Sequence, residues 1–297
     1  MNTFLYLVGS LVVTFIRFLP LKLICFIGRQ LGFIFYYIDS RHRKVAVNNL
    51  TNSLGYSRSK HEIISLAKEN FRRLGESYLA SLNTAFVPPN KLSRFLSIKG
   101  FDRINFSGSN CSYMLAMGHF GNFELYPKAG LFTPEFEVGT TYRGFNQVWV
   151  EKLVKWIRNK SQCHYFDRRF DGKKLLEFMK RPNTITGLLA DQNAGRAGIE
   201  LPFFGLPCST NPAPAIFALR YNLNLHGCFC RRLGLGRWEI ELGPEISTRH
   251  KGQARSVKDI MTDINSMYEE YINEDPANWF WVHNRWKRPE RAKKKAH

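Results

Sequence analysis

From about residue 91 onward, short apolar runs alternate with longer helical stretches, and this alternation limits the fold more than any other feature of the chain. The runs lie at 112–117 ("SYMLAM"), 135–141, 185–190 ("ITGLLA") and 224–230, with "RWEIELGPEI" at 237–246 as a further one. Each has the length and composition of a strand. Between and after them, 146–158, 171–180, 212–221 and about 256–274 read as helices. Strands that alternate with helices predict an α/β fold, a central mixed or parallel sheet flanked by helices. Upstream, Val45, Ala46, Leu50, Ile63, Ile64, Ala67, Phe71, Leu74, Tyr78 and Leu82 recur at helical spacing, and "VPPN" at 87–90 ends the pattern.

The N-terminus is a separate problem. "TFLYLVGSLVVTFI" at 3–16 has no basic residue before it and no small-residue cleavage site after it, so it does not read as a secretory signal. It is also short for a straight span of about 30 Å of hydrocarbon. Apolar character resumes after Arg17 and continues through Lys22 and Arg29 to Ile38, and cations this sparse can snorkel. "RHRK" at 41–44 then supplies the basic cluster expected at cytoplasmic headgroups. Residues 1–38 therefore read as a membrane anchor, either one tilted span or a monotopic pair of helices. The remainder, 39–297, reads as one α/β domain: helical over 39–90, a core over 91–284, and a basic tail over 285–297. From Arg285 to Lys295 that tail has seven cations and one acid.

Charge narrows the partners. With 297 residues the chain buries a sizeable core, and its net charge of +19 calls for an anionic partner: nucleic acid, a membrane surface, an acidic protein or a phosphorylated substrate. The six cysteines at 25, 111, 163, 208, 228 and 230 are scattered, and Cys228–Phe229–Cys230, the closest pair, matches neither a disulfide nor a zinc knuckle. Reduced structural thiols are expected.

"GHFGNFE" at 118–124 carries the chemistry. On a continuous helix His119 and Glu124 would point roughly 140° apart, so a working pair needs the chain to turn between them. "SYMLAM" runs directly into Gly118–His119, and Asn122 is placed to cap a helix from about Phe123, with Pro127 making its start short or irregular. A histidine before the helix and a carboxylate in its first turn predict that Glu124 folds back to fix the His119 tautomer and balance the imidazolium. Free N–H groups at the helix start would then stabilise an oxyanion. No G-x-S-x-G, H-E-x-x-H, C-x-x-C or Walker pattern occurs. What remains is attack by an acceptor hydroxyl, deprotonated by histidine, on an activated carbonyl.

"MGHFGNFE" is similar to the H-x4-D/E motif of membrane acyltransferases, and the chain resembles the bacterial lipid A late acyltransferases, the lauroyl and myristoyl transferases. The resemblance runs over nearly the whole length: the apolar N-terminus, "RKVAVNNL" at 43–50, "TTYRGFNQ" at 140–147, "IRNKSQ" at 157–162, "ADQNAGRAGIELPFFGLPCSTNPAPAIFA" at 190–218 and "PANWFWVHNRWKRP" at 276–289. It implies acyl transfer from an acyl-carrier-protein thioester to a hydroxyl of a phosphorylated glucosamine-based lipid, at the cytoplasmic face of the bacterial inner membrane, without metal or cofactor and without nucleic acid. It implies His119 as base with Glu124 as partner, and Arg143, Asn146, Arg158 and Asp191 as substrate-binding residues. Arg143 follows a strand and is placed to bind phosphate or polarise the thioester oxygen. Asn146 and Arg158 bracket a helix, and Asp191 closes "ITGLLA" at the strand end where α/β sites gather. "LPFFGLP" is expected to wall an acyl chain, "WFWVHNRW" to lie at headgroup level, and His164 and His283 to be structural. Asn193 stands where many members carry an acid. Two other readings remain: an acyltransferase for a lysophospholipid or another glycolipid, and a basic nucleic-acid-binding protein.

Overall fold

Period-2 alternation in the strands is what builds the two sides of this protein. In the computed structural model, which describes residues 1–104 and 111–287, Met114 and Ala116 pack into one apolar cluster while Tyr113, Leu115 and Met117 pack into another. The strand between them is therefore covered on both faces, as a buried parallel strand must be.

The chain opens with helices α1 (Asn2–Phe18), α2 (Leu21–Ile38), α3 (Ser40–Leu54) and α4 (Lys60–Thr84). Strands β1 (Leu96–Lys99) and β2 (Tyr113–Met117) follow, then a short α5 (Tyr126–Ala129), β3 (Glu137–Tyr142), α6 (Val148–Arg158), β4 (His164–Asp167), α7 (Gly172–Met179) and β5 (Thr184–Leu189). A hairpin of β6 (Ile199–Phe203) and β7 (Leu206–Thr210) leads to α8 (Ala213–Tyr221), β8 (Asn224–Gly234), β9 (Arg237–Glu245) and α9 (Val257–Glu274). The central sheet has seven strands in the order β1-β9-β8-β2-β5-β3-β4. It is mixed: β8 and β9 are antiparallel, and β8, β2, β5, β3 and β4 run parallel. The expected α/β architecture is present.

Three glycines decide how the N-terminal helices sit. A Cβ on Gly28 would lie 2.5 Å from the Gly75 carbonyl oxygen, one on Gly32 2.1 Å from that of Phe71, and one on Gly75 2.1 Å from that of Gly28. Backbones this close leave no room for any side chain, so α2 lies directly on α4. Polar contacts support the seam. Glu76 of α4 is wholly buried and takes Arg29 of α2 at 3.3 Å, Arg232 of β8 at 3.0 Å and the Gly236 N–H at 3.0 Å. Other apolar side chains of these helices are bare: Phe4, Leu11, Phe15 and Phe18 of α1, and Phe26, Phe35 and Ile38 of α2, are exposed. Among the described residues α2 is the helix long and apolar enough to cross a membrane.

Several expectations change. "LPFFGLP" forms the β6–β7 hairpin, with Phe204 and Gly205 both at positive φ in a two-residue turn. Phe203 packs on Trp279 and Trp286 in the core, so this segment is packing and not a wall for a ligand. Trp279 and Trp281 of "WFWVHNRW" do not lie at a headgroup surface either: both are buried. The basic tail begins later than expected. Arg285 is wholly buried, donating to the Ser209 carbonyl and to Thr210 Oγ1, while 288–297 fall outside the described residues. The cysteines are free thiols; Cys228 and Cys230 share one face of β8 while Phe229 joins the core on the other. Burial drives the Cys230 thiol up to about 12, which keeps it inert. His164 meets Glu137 across the sheet edge at 3.2 Å, a partner that sequence spacing did not reveal.

Candidate active site

The turn after β2 depends on its two glycines. A Cβ on Gly118 would meet the Phe120 ring at 2.3 Å, and Gly121 has φ of +50° with its Cβ position 2.6 Å from the Cys230 carbonyl oxygen. Only glycine allows the chain to leave the strand, project His119 and still pack Phe120 inward. Asn122 precedes a 3-10 turn over Phe123–Leu125 but makes no side-chain cap bond to it, and Pro127 lies at the start of α5, so the helix beginning is short and irregular as expected.

The carboxylate on the imidazole is Asp191, not Glu124. Because β2 and β5 are parallel neighbours with Met117 opposite Leu189, both chains reach the same level two residues later, at His119 and Asp191. His119 Nδ1 lies 2.7 Å from Asp191 Oδ1, and the His119 backbone N–H donates to Asp191 Oδ2 at 2.8 Å. Trp279 Nε1 donates to the same Oδ2 at 2.8 Å. Asp191 is buried, which alone would raise its pKa, but the adjacent His119 ring and these donors outweigh burial and hold it below the usual carboxylate range. The anion therefore persists beneath the imidazole. It fixes the proton on Nδ1 and leaves Nε2 as the basic nitrogen, with Gln192 Nε2 3.4 Å away. Phe123 and Phe280 pack against the ring, their centroids 4.9 and 5.6 Å from its own.

Glu124 turns instead to Arg158 at the end of α6. Arg158 Nη2 donates to Glu124 Oε1 at 2.6 Å and Nε to Oε2 at 3.3 Å, a two-pronged pair. Burial would lower the Arg158 pKa, but Glu124 and the Tyr165 and Tyr142 phenols raise it, and the guanidinium is firmly charged. Tyr142 and Tyr165 also flank it at 5.5 and 5.3 Å. The backbone N–H groups of 119–121, just before the helix start, are engaged: they donate to Asp191, to Gly118 O and to Asn278 O. Arg158 is a cationic donor within the site.

Both His119 and the Glu124–Arg158 pair line a cavity of about 210 Å³. Its floor is one face of the sheet: Leu115 and Met117 of β2, Ile185, Gly187 and Leu189 of β5, and Val138 and Thr140 of β3. Its roof is the stretch from Phe123 through Tyr126, Pro127 and Ala129 to Thr133. Polar groups gather at the strand ends and the depth is apolar, a shape suited to a hydrocarbon chain with its reactive end at His119. Arg143 stands exposed at the rim, in a loop fixed by Phe145 N–H donating to Glu151 at 2.8 Å. Asn146 does not line the cavity; it is exposed and accepts from Arg169 at 3.4 Å.

Distant motifs hold this arrangement from behind. Asn49, in "RKVAVNNL", donates to the Trp281 and His283 carbonyls at 2.8 and 2.7 Å, and Asn70 donates to the Ala277 and Trp279 carbonyls at 3.0 and 2.5 Å. Asn278 donates to Cys230 O at 2.9 Å. The 276–287 segment is thus pinned where Trp279 supports Asp191. His283 accepts from the Asn193 N–H at 3.0 Å, a structural role as expected. Among the described residues no group of three or more His, Cys, Asp or Glu side chains is arranged to hold a metal ion.

Comparison with known proteins gives a consistent result. The family described as bacterial lipid A biosynthesis acyltransferase matches residues 1–288. The chain is 23% identical over 278 residues to a lipid A biosynthesis palmitoleoyltransferase of Escherichia coli (strain K12), covering 91% of this chain and 86% of that protein. It is 24% identical over 278 residues to a lipid A biosynthesis lauroyltransferase of the same strain, covering 92% and 88%. A lipid A biosynthesis acyltransferase of Shigella flexneri is 23% identical over 278 residues, with 91% and 86% covered.

Proposed function

Because this chain belongs to the bacterial lipid A biosynthesis acyltransferase family, we propose that it moves a fatty acyl group from an acyl-carrier-protein thioester to a hydroxyl of a phosphorylated glucosamine lipid. The observation that carries the mechanism is the buried Asp191 carboxylate on His119 Nδ1 at the mouth of an apolar cavity.

The acyl chain lies along the sheet floor, with its thioester carbon beside His119. Nε2 removes the proton of the acceptor hydroxyl as its oxygen attacks that carbon. Asp191 stabilises the imidazolium that forms. The carbonyl oxygen gains negative charge in the tetrahedral intermediate, and Arg158, aimed by Glu124, offsets that charge. When the intermediate collapses, the carbon–sulfur bond breaks and the imidazolium returns its proton to the leaving thiolate. The products are an ester and a free thiol, and His119 is again neutral. Glu124 acts here through the guanidinium it holds. Arg143, at the rim, is placed to meet a phosphate of the donor or the acceptor.

α1 and α2 serve as a monotopic anchor at the cytoplasmic face of the inner membrane. The exposed apolar side chains of both helices support this reading, as does the α2–α4 seam, which a helix standing free in a bilayer would not need.

The test is thiol release from an acyl-carrier-protein thioester by the full-length protein in detergent, with and without the glycolipid acceptor. Release that depends on the acceptor, and that His119→Ala abolishes, is expected. Acceptor-independent release, or full turnover by His119→Ala, would remove the proposal.

A further inference from the structure

A second cleft, of about 770 Å³, lies beside the loop that follows Asp191. Arg41, Arg196 and Lys287 line it with His42, His283 and Asn193, and among the described residues no Asp or Glu lines it. Asp39, the acid just before it in sequence, caps α3 and is engaged by His42 Nδ1 at 2.6 Å. Cations collected on a concave wall favour a multivalent oxyanion, and the planar forks of two arginines suit phosphate.

The cleft has a membrane side and a catalytic side. Arg41 and His42 open α3 directly after α2 ends at Ile38, where Ile38 is 70% and Tyr37 53% exposed. On the other side, Asn193 follows Gln192, whose amide nitrogen is 3.4 Å from His119 Nε2. An amphiphile with its chains against α2 and its headgroup at His119 therefore crosses this cleft.

Residue 193 adds an independent observation. Its Nδ2 donates to the Arg285 and Lys287 carbonyls at 2.9 and 2.8 Å, while Oδ1 accepts from Gly195 N–H at 2.8 Å. Only an amide makes all three bonds. A carboxylate at this position would face two carbonyl oxygens and bring negative charge into the cleft; asparagine keeps the wall cationic.

We propose that this cleft is a subsite for a phosphate on the headgroup of the acceptor lipid, held by Arg41, Arg196 and Lys287 while the acceptor hydroxyl meets His119. The proposal rests on the acyl-transfer reading above and adds the place where the acceptor's charge is recognised.

The test compares the full-length wild type with an Arg41→Gln/Arg196→Gln/Lys287→Gln variant; these three side chains are exposed, so the changes spare the core. Acceptors are a phosphorylated glucosamine disaccharide lipid and the same lipid after phosphatase treatment. For the wild type, phosphate removal should raise the acceptor KM by about 30-fold, and the triple variant should show the same rise on the intact lipid with no further loss on the treated one. The KM for the acyl donor should hold in both proteins. A variant that still discriminates between the two acceptors overturns the proposal. Flotation with limiting protein offered at once to phosphatidylcholine vesicles doped with the phosphorylated glycolipid and to vesicles doped with phosphatidylglycerol, so that capture by the α1–α2 anchor cancels, reads the same site without turnover and separates its failure from failure of the acyl-transfer reading. Preferential capture of the glycolipid vesicles, lost in the variant, supports the subsite. Equal capture of both vesicle types would make the cleft a general anionic-membrane patch and overturn it.

Discussion

Replacing Asp191 with asparagine changes one atom and should misplace one proton. Asp191 Oδ2 accepts from two N–H groups, the His119 backbone and Trp279 Nε1, each at 2.8 Å. In Asp191→Asn the amide oxygen must keep that position, because an NH2 there would face two donors. The NH2 then occupies the Oδ1 position, 2.7 Å from His119 Nδ1, and forces Nδ1 to become an acceptor. The imidazole proton moves to Nε2, so the nitrogen that meets the acceptor hydroxyl is no longer a base. A loss of about 10⁴ in kcat, or about 5.5 kcal/mol of transition-state stabilisation, follows from the wrong tautomer together with an uncompensated imidazolium. The fold should persist, since both buried N–H groups keep an acceptor; Asp191→Ala would orphan them at about 1–3 kcal/mol each. The assay pairs kcat in detergent with thermal melting, and 15N NMR of the imidazole reports the tautomer directly. Wild type and Glu124→Gln should carry the proton on Nδ1 and Asp191→Asn on Nε2. A folded Asp191→Asn protein that keeps kcat within tenfold of wild type, or a tautomer that shifts in Glu124→Gln instead, would refute this assignment.

Arg158→Lys should lower kcat by about 10²–10³ with little change in the acceptor KM, because an ammonium cannot match the two-pronged Glu124 contact or hold its place; steady-state kinetics checks this. Gly187→Val should favour shorter acyl donors, since its Cβ would lie 2.6 Å from Met117 Cε and crowd the cavity floor; about fourfold in kcat/KM is expected for each methylene excluded, read by competition between donors of different length. Gly28→Leu should destabilise the whole protein by about 1–3 kcal/mol or more, because the side chain meets the Gly75 carbonyl; an unchanged melt would mean that α2 does not depend on its seam with α4.

The parts of the site that lie close in sequence, and the strands that build it, were legible in the residues. "SYMLAM", "ITGLLA" and "RWEIELGPEI" are strands of the central sheet, and Gly118–His119 does leave a strand end. The partner of His119 was not legible. Proximity favours Glu124, but strand order decides, and nothing in the sequence says that β5 lies beside β2. Asp191 was visible only as an acid at a strand end, a placement that carries no partner. Arg158 lies 34 positions beyond Glu124, a distance that no local pattern spans. Aromatic content misled at "WFWVHNRW" and "LPFFGLP", since composition does not say which way a ring faces and these rings pack on one another. The short edge strand His164–Asp167 was missed because its residues are half polar and its pairing is one-sided. Gly28 and Gly32, which mark the α2–α4 seam, were not singled out in the sequence either, since four-residue spacing alone does not say what packs against it.

The most direct test of acyl transfer through His119 is the mass of lipid A from cells of the source bacterium. Lipid A from a strain lacking this protein should be lighter by one fatty acyl group than lipid A from the parent strain. The wild-type gene should restore the parent mass, and a gene carrying His119→Ala, expressed at the same level, should not. Lipid A of unchanged mass in the strain lacking the protein, or full restoration by His119→Ala, would contradict the account.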